Sequence, residues 1–185
     1  FFSNNFKSKN VTWMKQDLKK KIDCEVIPDA IIHGAVTHPF ASKKSNKDYI
    51  DSNIISLLNI IDFANKKGVK KFIYLSSVVI YGKIEENILT DYSSFNNPDL
   101  LGATKILSET LLKNQDFKFL SIRLPGVLCY NNSSNERPWL NSIINKIKLS
   151  EDISVHNGNT NFNNVVDTIE IINFVEYILL NDFVS

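Results

Sequence analysis

The amino-acid sequence predicts an α/β fold, a parallel sheet wrapped by helices, on three observations. Short apolar runs with the composition of strands alternate with segments whose apolar residues recur at helical spacing. No hairpin signal joins the runs in the middle of the chain, so each strand reaches the next through a helix. Every predicted strand also ends in small or polar residues: Asp17, then Gly34 and Ala35, then Ser76 and Ser77, then Pro125 and Gly126. In parallel α/β sheets ligands bind beyond those ends, where small groups let a flat ligand approach the backbone.

The elements follow in order. VTWMKQD (residues 11–17) reads as a first strand. A short helix follows, with Leu18, Ile22 and Val26 on one side and Pro28 as its stop. AIIHGA (30–35) and KFIYLSS (71–77) are continuous apolar runs suited to burial on both faces. Between them residues 49–67 place Ile50, Ile54, Leu57, Leu58 and Ile61 at helical spacing, and Gly68 suits a left-handed cap. PDLLGATKILSE (98–109) begins another helix, with Asn97 as cap, Pro98 at the first position and Asp99 in the first turn. Its expected core stripe is Leu100, Ala103, Ile106, Leu107 and Leu111. FKFLSIRLPG (117–126) is the next strand. Residues 131–148 begin as a polar loop and become a helix carrying Trp139, Leu140, Ile143 and Ile144.

Composition limits the function classes. A chain of 185 residues, 43% hydrophobic, can bury one main core. The formal net charge is +1 with scattered lysines, which gives no electrostatic case for nucleic acid or an anionic membrane. Two cysteines, Cys24 and Cys129, make no disulfide framework, and no Cys/His spacing predicts a metal. His33, His38 and His156 are read as structural or exposed. No apolar run reaches the roughly 18 residues of a membrane helix and no signal peptide opens the chain, so a soluble protein of the reducing cytoplasm is expected. The chain starts at Phe1 and its single methionine, Met14, lies inside an apolar segment, from which a missing N-terminus is expected.

SNIISLLNIIDFANKKGVKKFIYLSSVVIYG (52–82) resembles the long helix, central strand and Ser-Ser-x-x-x-Tyr-Gly signature of the extended short-chain dehydrogenase/reductases, the NAD-dependent epimerase/dehydratases. DAIIHGAV (29–36), RLPGV (123–127) and FNNVVDTIEIINFV (162–175) are similar to further landmarks, so the resemblance runs from about residue 11 to 175. It implies a Rossmann-like parallel sheet with helices on both faces, lacking the first β-α-β unit, over residues 1–130. Residues 131–185 would hold part of a small substrate-binding lobe and a returning strand and helix. The implied activity is that of an oxidoreductase of the epimerase/dehydratase type, with NAD or NADP as cofactor and a nucleotide sugar as substrate. A homodimer through the helices beginning at Tyr49 and Pro98 is implied as well.

Residue by residue, the resemblance implies that Asp17 and the amide of Leu18 read the adenine ring, and that Ala35 and Pro125 line the cofactor. Asn53 would support the catalytic lysine and the cofactor. Ser77 would hydrogen-bond the reacting oxygen of the substrate, and Lys105 would hold the nicotinamide ribose. Arg137 is a candidate phosphate contact, since guanidinium groups suit phosphate. Plainer readings stand beside these: Asp17 as a helix cap, Ser77 as a strand end, Lys105 as a solvated helix lysine, Arg137 as a surface arginine.

Two departures from the family pattern are visible. The motif Tyr-x-x-x-Lys reads Leu101, Gly102, Ala103, Thr104, Lys105. Positions i and i+4 share a helix face, so a leucine stands where a phenol beside a cation would carry the proton. Tyr81 and Tyr92 are the candidate stand-in phenols. The second departure is the phosphate site: the glycines at 34, 68, 82, 102, 126 and 158 each stand alone, so the chain contains no glycine-rich turn. A non-catalytic dinucleotide- or sugar-nucleotide-binding module is therefore the alternative to an enzyme.

Overall fold

The computed structural model describes residues 10–37, 45–128, 138–154, 165–181 and 183. Strands β1 (Ala30–His33), β2 (Lys71–Ser77) and β3 (Lys118–Leu124) form a parallel sheet in the order β1-β2-β3. Its register pairs His33 with Tyr74 and Ser77 with Leu124. Three helical segments join β1 to β2: α1 (Asn46–Ile50), a π-helical turn (Asp51–Ile55) and α2 (Ser56–Lys67). A 3-10 turn (Val78–Tyr81) and α3 (Leu100–Lys113) lie between β2 and β3. Beyond β3, β4 (Gly126–Leu128) pairs in parallel with β5 (Val165–Asp167), with α4 (Pro138–Leu149) between them and α5 (Thr168–Leu180) after. The predicted α/β class with a parallel sheet is the observed one.

Strand alternation assigns the two faces. Phe72 and Tyr74 point to the side on which α2 supplies Leu57, Ile60, Ile61 and Ala64, and α3 supplies Leu112, and together these form the core. Phe72, Leu57 and Leu112 have no accessible surface, and Phe72 stacks on Phe117 at 5.1 Å. The opposite side belongs to α5. The Lys71 ammonium donates to the carbonyls of Leu179 at 3.0 Å and Asn181 at 2.9 Å, where the helix C-terminus carries its partial negative charge. Ile122 and Leu124 of β3 line a cleft with Val166, Ile171 and Phe174 on this side. Helices therefore cover both faces, as expected.

Local chemistry sets the helix ends. Ser45 and Asp48 form a capping box at the start of α1. Gly68 ends α2 at φ 66°, the left-handed cap its position predicts.

Four expectations are corrected. Residues 11–17 form no strand. The segment finds no neighbouring ladder among the described residues, and an unpaired strand has no independent stability. Residues 18–28 form no helix: Leu18 and Ile22 do pack against the core, but a turn at 18–20 replaces the first helical turn and Val26 is exposed. So short an isolated helix is marginal without a buried face. The cap of α3 is Asp99, not Asn97; Asp99 Oδ1 accepts the Gly102 amide at 2.8 Å. A bridge from Asn96 to Gly82 holds the preceding turn, in which Asn97 takes φ 49°. The predicted stripe of α3 is right only in part: Leu111 packs against the core and Ile106 is half-buried, but Leu100, Ala103 and Leu107 are exposed. Leu100 and Leu107 are 40% and 43% exposed, and the buried face carries Leu101, Thr104, Lys105, Ser108 and Leu112. In the helix before it, Ile54, Leu57 and Ile61 are buried as read, whereas Ile50 and Leu58 face outward. Among the described residues no helix is long and apolar enough to cross a membrane.

Candidate active site at the strand ends

Because β1, β2 and β3 run parallel, their carboxyl ends meet at one edge of the sheet. Gly34 and Ala35 leave β1 there, Ser76 and Ser77 end β2, and Pro125 follows β3. Gly34 sits tightly: a Cβ on it would lie 3.1 Å from Leu75 Cδ1. Ala35 is exposed. The Ser77 hydroxyl accepts the Val79 amide at 3.3 Å and so caps the 3-10 turn that carries the chain away from the sheet.

The first turn of α3 presses against that turn. A Cβ on Gly102 would stand 2.5 Å from the Val79 carbonyl oxygen and 2.8 Å from Pro98 Cβ, so a glycine after Leu101 is what permits the close approach. Leu101, 7% exposed, and Lys105, 5% exposed, are thereby buried beside the end of β2.

Lys105 is not solvated. Its ammonium donates to the Leu75 carbonyl at 2.8 Å and lies 4.5 Å from the centre of the Tyr74 ring, a cation–π seat. Burial pushes its pKa down to about 8, against a smaller upward pull from Glu109. His33 stacks on Tyr74 at 5.8 Å, and burial together with the Lys105 charge lowers its pKa to about 4, so it is a neutral core histidine at neutral pH. Burial also raises the Tyr74 phenol to about 12.

Asn53 is central to the support of this site. It lies in the π-helical turn, buried; its Oδ1 accepts the Thr37 amide at 2.8 Å and its Nδ2 approaches Thr104 Oγ1 at 3.5 Å. One side chain thus ties the loop after β1 to the residue preceding Lys105. A π turn within a helix commonly marks a functional position.

Not every candidate joins the cluster. Asp17 Oδ1 accepts the Lys19 amide at 3.1 Å in a local turn and caps no helix, while the Leu18 carbonyl is held by Asn59 of α2 at 2.9 Å. Arg137 lies outside the described residues, as do His38, His156 and Cys129. Tyr92 is 97% exposed. The Tyr81 hydroxyl donates to the Thr90 carbonyl at 3.0 Å and accepts from Arg123 at 2.9 Å, so both its roles are taken. Among the described residues no group of three or more His, Cys, Asp or Glu side chains is placed to hold a metal.

Sequence reasoning missed two features. Tyr74, the seat of Lys105, reads as an ordinary core aromatic. Glu109 and Arg123 pair at 2.9 Å across α3 and β3; the i, i+4 spacing of Lys105 and Glu109 was the only available signal for it. Burial works against the Glu109 charge, but hydrogen bonds from Arg123 and Ser121 hold its carboxyl below the usual range.

Similarity to known proteins agrees with this fold. Over 113 residues the chain is 27% identical to UDP-glucose 4-epimerase 3 of Oryza sativa subsp. japonica, a stretch covering 57% of this chain and 30% of the rice protein. It is 26% identical over 113 residues to the UDP-glucose 4-epimerase of Pisum sativum, covering 58% and 32%. The fold superposes on the Bordetella bronchiseptica enzyme WbmG, solved with NAD and UDP, with a TM-score of 0.71 at 16% identity, over 85% of this chain and 48% of that one. For the UDP-N-acetylglucosamine 4-epimerase of Methanobrevibacter ruminantium M1, solved with UDP-N-acetylmuramic acid, the TM-score is 0.72 at 20% identity, over 91% and 56%. The chain thus spans about half the length of these structures and matches less than a third of the plant enzymes. The profile of the NAD dependent epimerase/dehydratase family matches residues 3–179, and this chain belongs to that family.

Proposed function

We propose that the protein is an NAD(P)-dependent oxidoreductase of the nucleotide-sugar epimerase/dehydratase type, with its crevice at the ends of β1, β2 and β3. The observation that carries this reading is the buried Lys105 beside the Ser77 turn, supported through Thr104 by Asn53. The residues present fit one wall of a dinucleotide site: exposed Ala35 and the close-packed Gly34 offer open backbone at a strand end. They offer no glycine-rich turn for a pyrophosphate. When bound, NAD(P) would accept a hydride from a sugar carbon. Ser77 would hold the sugar oxygen through its hydroxyl, and Lys105 would orient the ribose. Within residues 131–185 the part ahead of β5 would belong to the substrate lobe, with Arg137 as a phosphate contact, while β5 and α5 would be the returning strand and helix.

A second reading, a binding module without turnover, is favoured by one observation. Leu101 occupies the face shared with Lys105, and a leucine moves no proton.

The test uses the protein together with any residues its gene encodes upstream of Phe1. Titration with NAD, NADP and a UDP-sugar is expected to give saturable binding in the range of about 1 μM to 1 mM, with the UDP-sugar weakened by Ser77→Ala. Binding without turnover would select the second reading, and no binding of any of the three would sink both.

We also propose a homodimer through the outer faces of α2 and α3. Ile55 and Leu58 on one segment and Leu100 and Leu107 on the other are exposed apolar residues on neighbouring helices, the kind of patch that marks an interface. Sedimentation should show a dimer that the double change Leu58→Glu, Leu107→Glu converts to a monomer; an unchanged mass would refute the assignment.

A further inference from the structure

Arg123 of β3 contacts three other parts of the chain at once. Its Nη2 and Nε donate to the Glu109 carboxylate of α3 at 2.9 and 3.3 Å. Its Nη1 donates to the Tyr81 phenol oxygen at 2.9 Å, in the 3-10 turn that Ser77 caps. The same nitrogen lies 3.5 Å from Asp91 in the connection 83–97, and the guanidinium sits 5.8 Å from the Phe95 ring of that connection. The Tyr81 hydroxyl relays the link by donating to the Thr90 carbonyl at 3.0 Å.

The connection itself is a closed strap. The Lys83 amide donates to the Asn96 carbonyl at 2.8 Å and the Asn96 amide to the Tyr81 carbonyl at 2.9 Å, which pins its two ends together. A Cβ on Gly82 would fall 2.0 Å from the Asn96 oxygen, so this closure requires glycine there. Within the strap, Ser93 donates to Glu86 and accepts the Thr90 amide. The strap leaves the sheet after Ser77 and returns at the cap of α3, which places it beside the strand ends. Asp91 is almost fully exposed and adds little to its anchoring. Among the contacts described, the hydroxyl of buried Tyr81, which donates to Thr90, ties the middle of the strap to Arg123 from a sheltered position, whereas Phe95 is 44% exposed.

We propose that Arg123 is a positioning residue: acting through Tyr81, it fixes the strap 83–97 beside Ser77 and so sets the opening through which a sugar substrate enters. The access role rests on the crevice being the substrate site; the anchoring does not. Arginine suits the task because one planar fork reaches a carboxylate and a phenol together, which a lysine point charge cannot do in the same geometry. Glu109 holds the fork from α3 and is itself held by the Ser121 hydroxyl of β3, so the strap is registered against both the helix of Lys105 and the sheet.

The experiment compares Tyr81→Phe and Arg123→Lys with the parent protein. Tyr81→Phe keeps the ring and deletes only the hydroxyl link. Tryptic cleavage after Lys83, mapped by mass spectrometry, should accelerate by about tenfold in either variant, the expected consequence of losing one or two net hydrogen bonds. UDP-sugar affinity should weaken by about the same factor, with NAD affinity kept, in Tyr81→Phe. Unchanged cleavage after Lys83 in both variants would overturn the anchoring. Equal losses of NAD and UDP-sugar affinity would overturn the positioning role in favour of a general structural one. If the parent binds no UDP-sugar, the proposed function and the access role fall together, and the cleavage assay still decides the anchoring.

Discussion

A Leu101→Tyr variant, assayed with NAD and a UDP-sugar, should turn over at least about 100-fold faster than the parent protein, the lower end of what one positioned acid or base contributes. Leu101 and Lys105 lie one turn apart on the buried face of α3. A phenol at 101 would stand near an ammonium that is itself forced into a partly desolvated seat, and a neighbouring cation favours the phenolate. The tyrosines already present are poor substitutes. Burial holds the Tyr74 hydroxyl at about 12, Tyr81 is committed to Thr90 and Arg123, and Tyr92 points into solvent. Turnover would be followed by conversion of the UDP-sugar, with NAD binding measured in parallel. A variant that binds NAD tightly and gains no turnover would assign the protein to the binding-module class.

Lys105→Met should change the pH dependence of stability, measured by denaturant unfolding without ligand. The Lys105 pKa falls from 10.5 in the unfolded chain to about 8 in the folded one. Between those values the unfolded state binds the extra proton, so parent stability rises with pH across that window. The rise amounts to about 3 kcal/mol, and below pH 8 the native state carries the full cost of the buried charge. Methionine has no proton to lose, and its curve should lack this rise. Parallel curves for the two proteins would show that the ammonium is hydrated and that its seat on Tyr74 is not closed.

How much was legible depended on whether a segment's own pattern matched its burial. Lys71–Ser77 was read with its observed bounds, because a continuous apolar run between polar flanks has few alternatives to a central strand. Gly68 was read equally well from its position after the last helical turn. The helix at Leu100 was found, and Leu111 of its predicted stripe packs against the core, but Leu100, Ala103 and Leu107 lie outside the buried face. Leucines occur on two of its sides, and the side that is buried also carries Thr104, Lys105 and Ser108, which a search for apolar periodicity passes over.

What the sequence by itself determined was the parallel α/β order, the strand ends where Ser77 and Pro125 stand, the family motif around 52–82, and the leucine at 101. These depend on residues near one another in the chain. Only the tertiary structure decided that Lys105 rests on Tyr74, that Asn53 joins Thr37 to Thr104, that Arg123 ties four elements together, and that residues 11–28 form neither strand nor helix. The physical reason is common to all four. A polar group tolerates burial, and a strand forms, only where distant segments bring the missing partner, and no local pattern encodes which partner arrives.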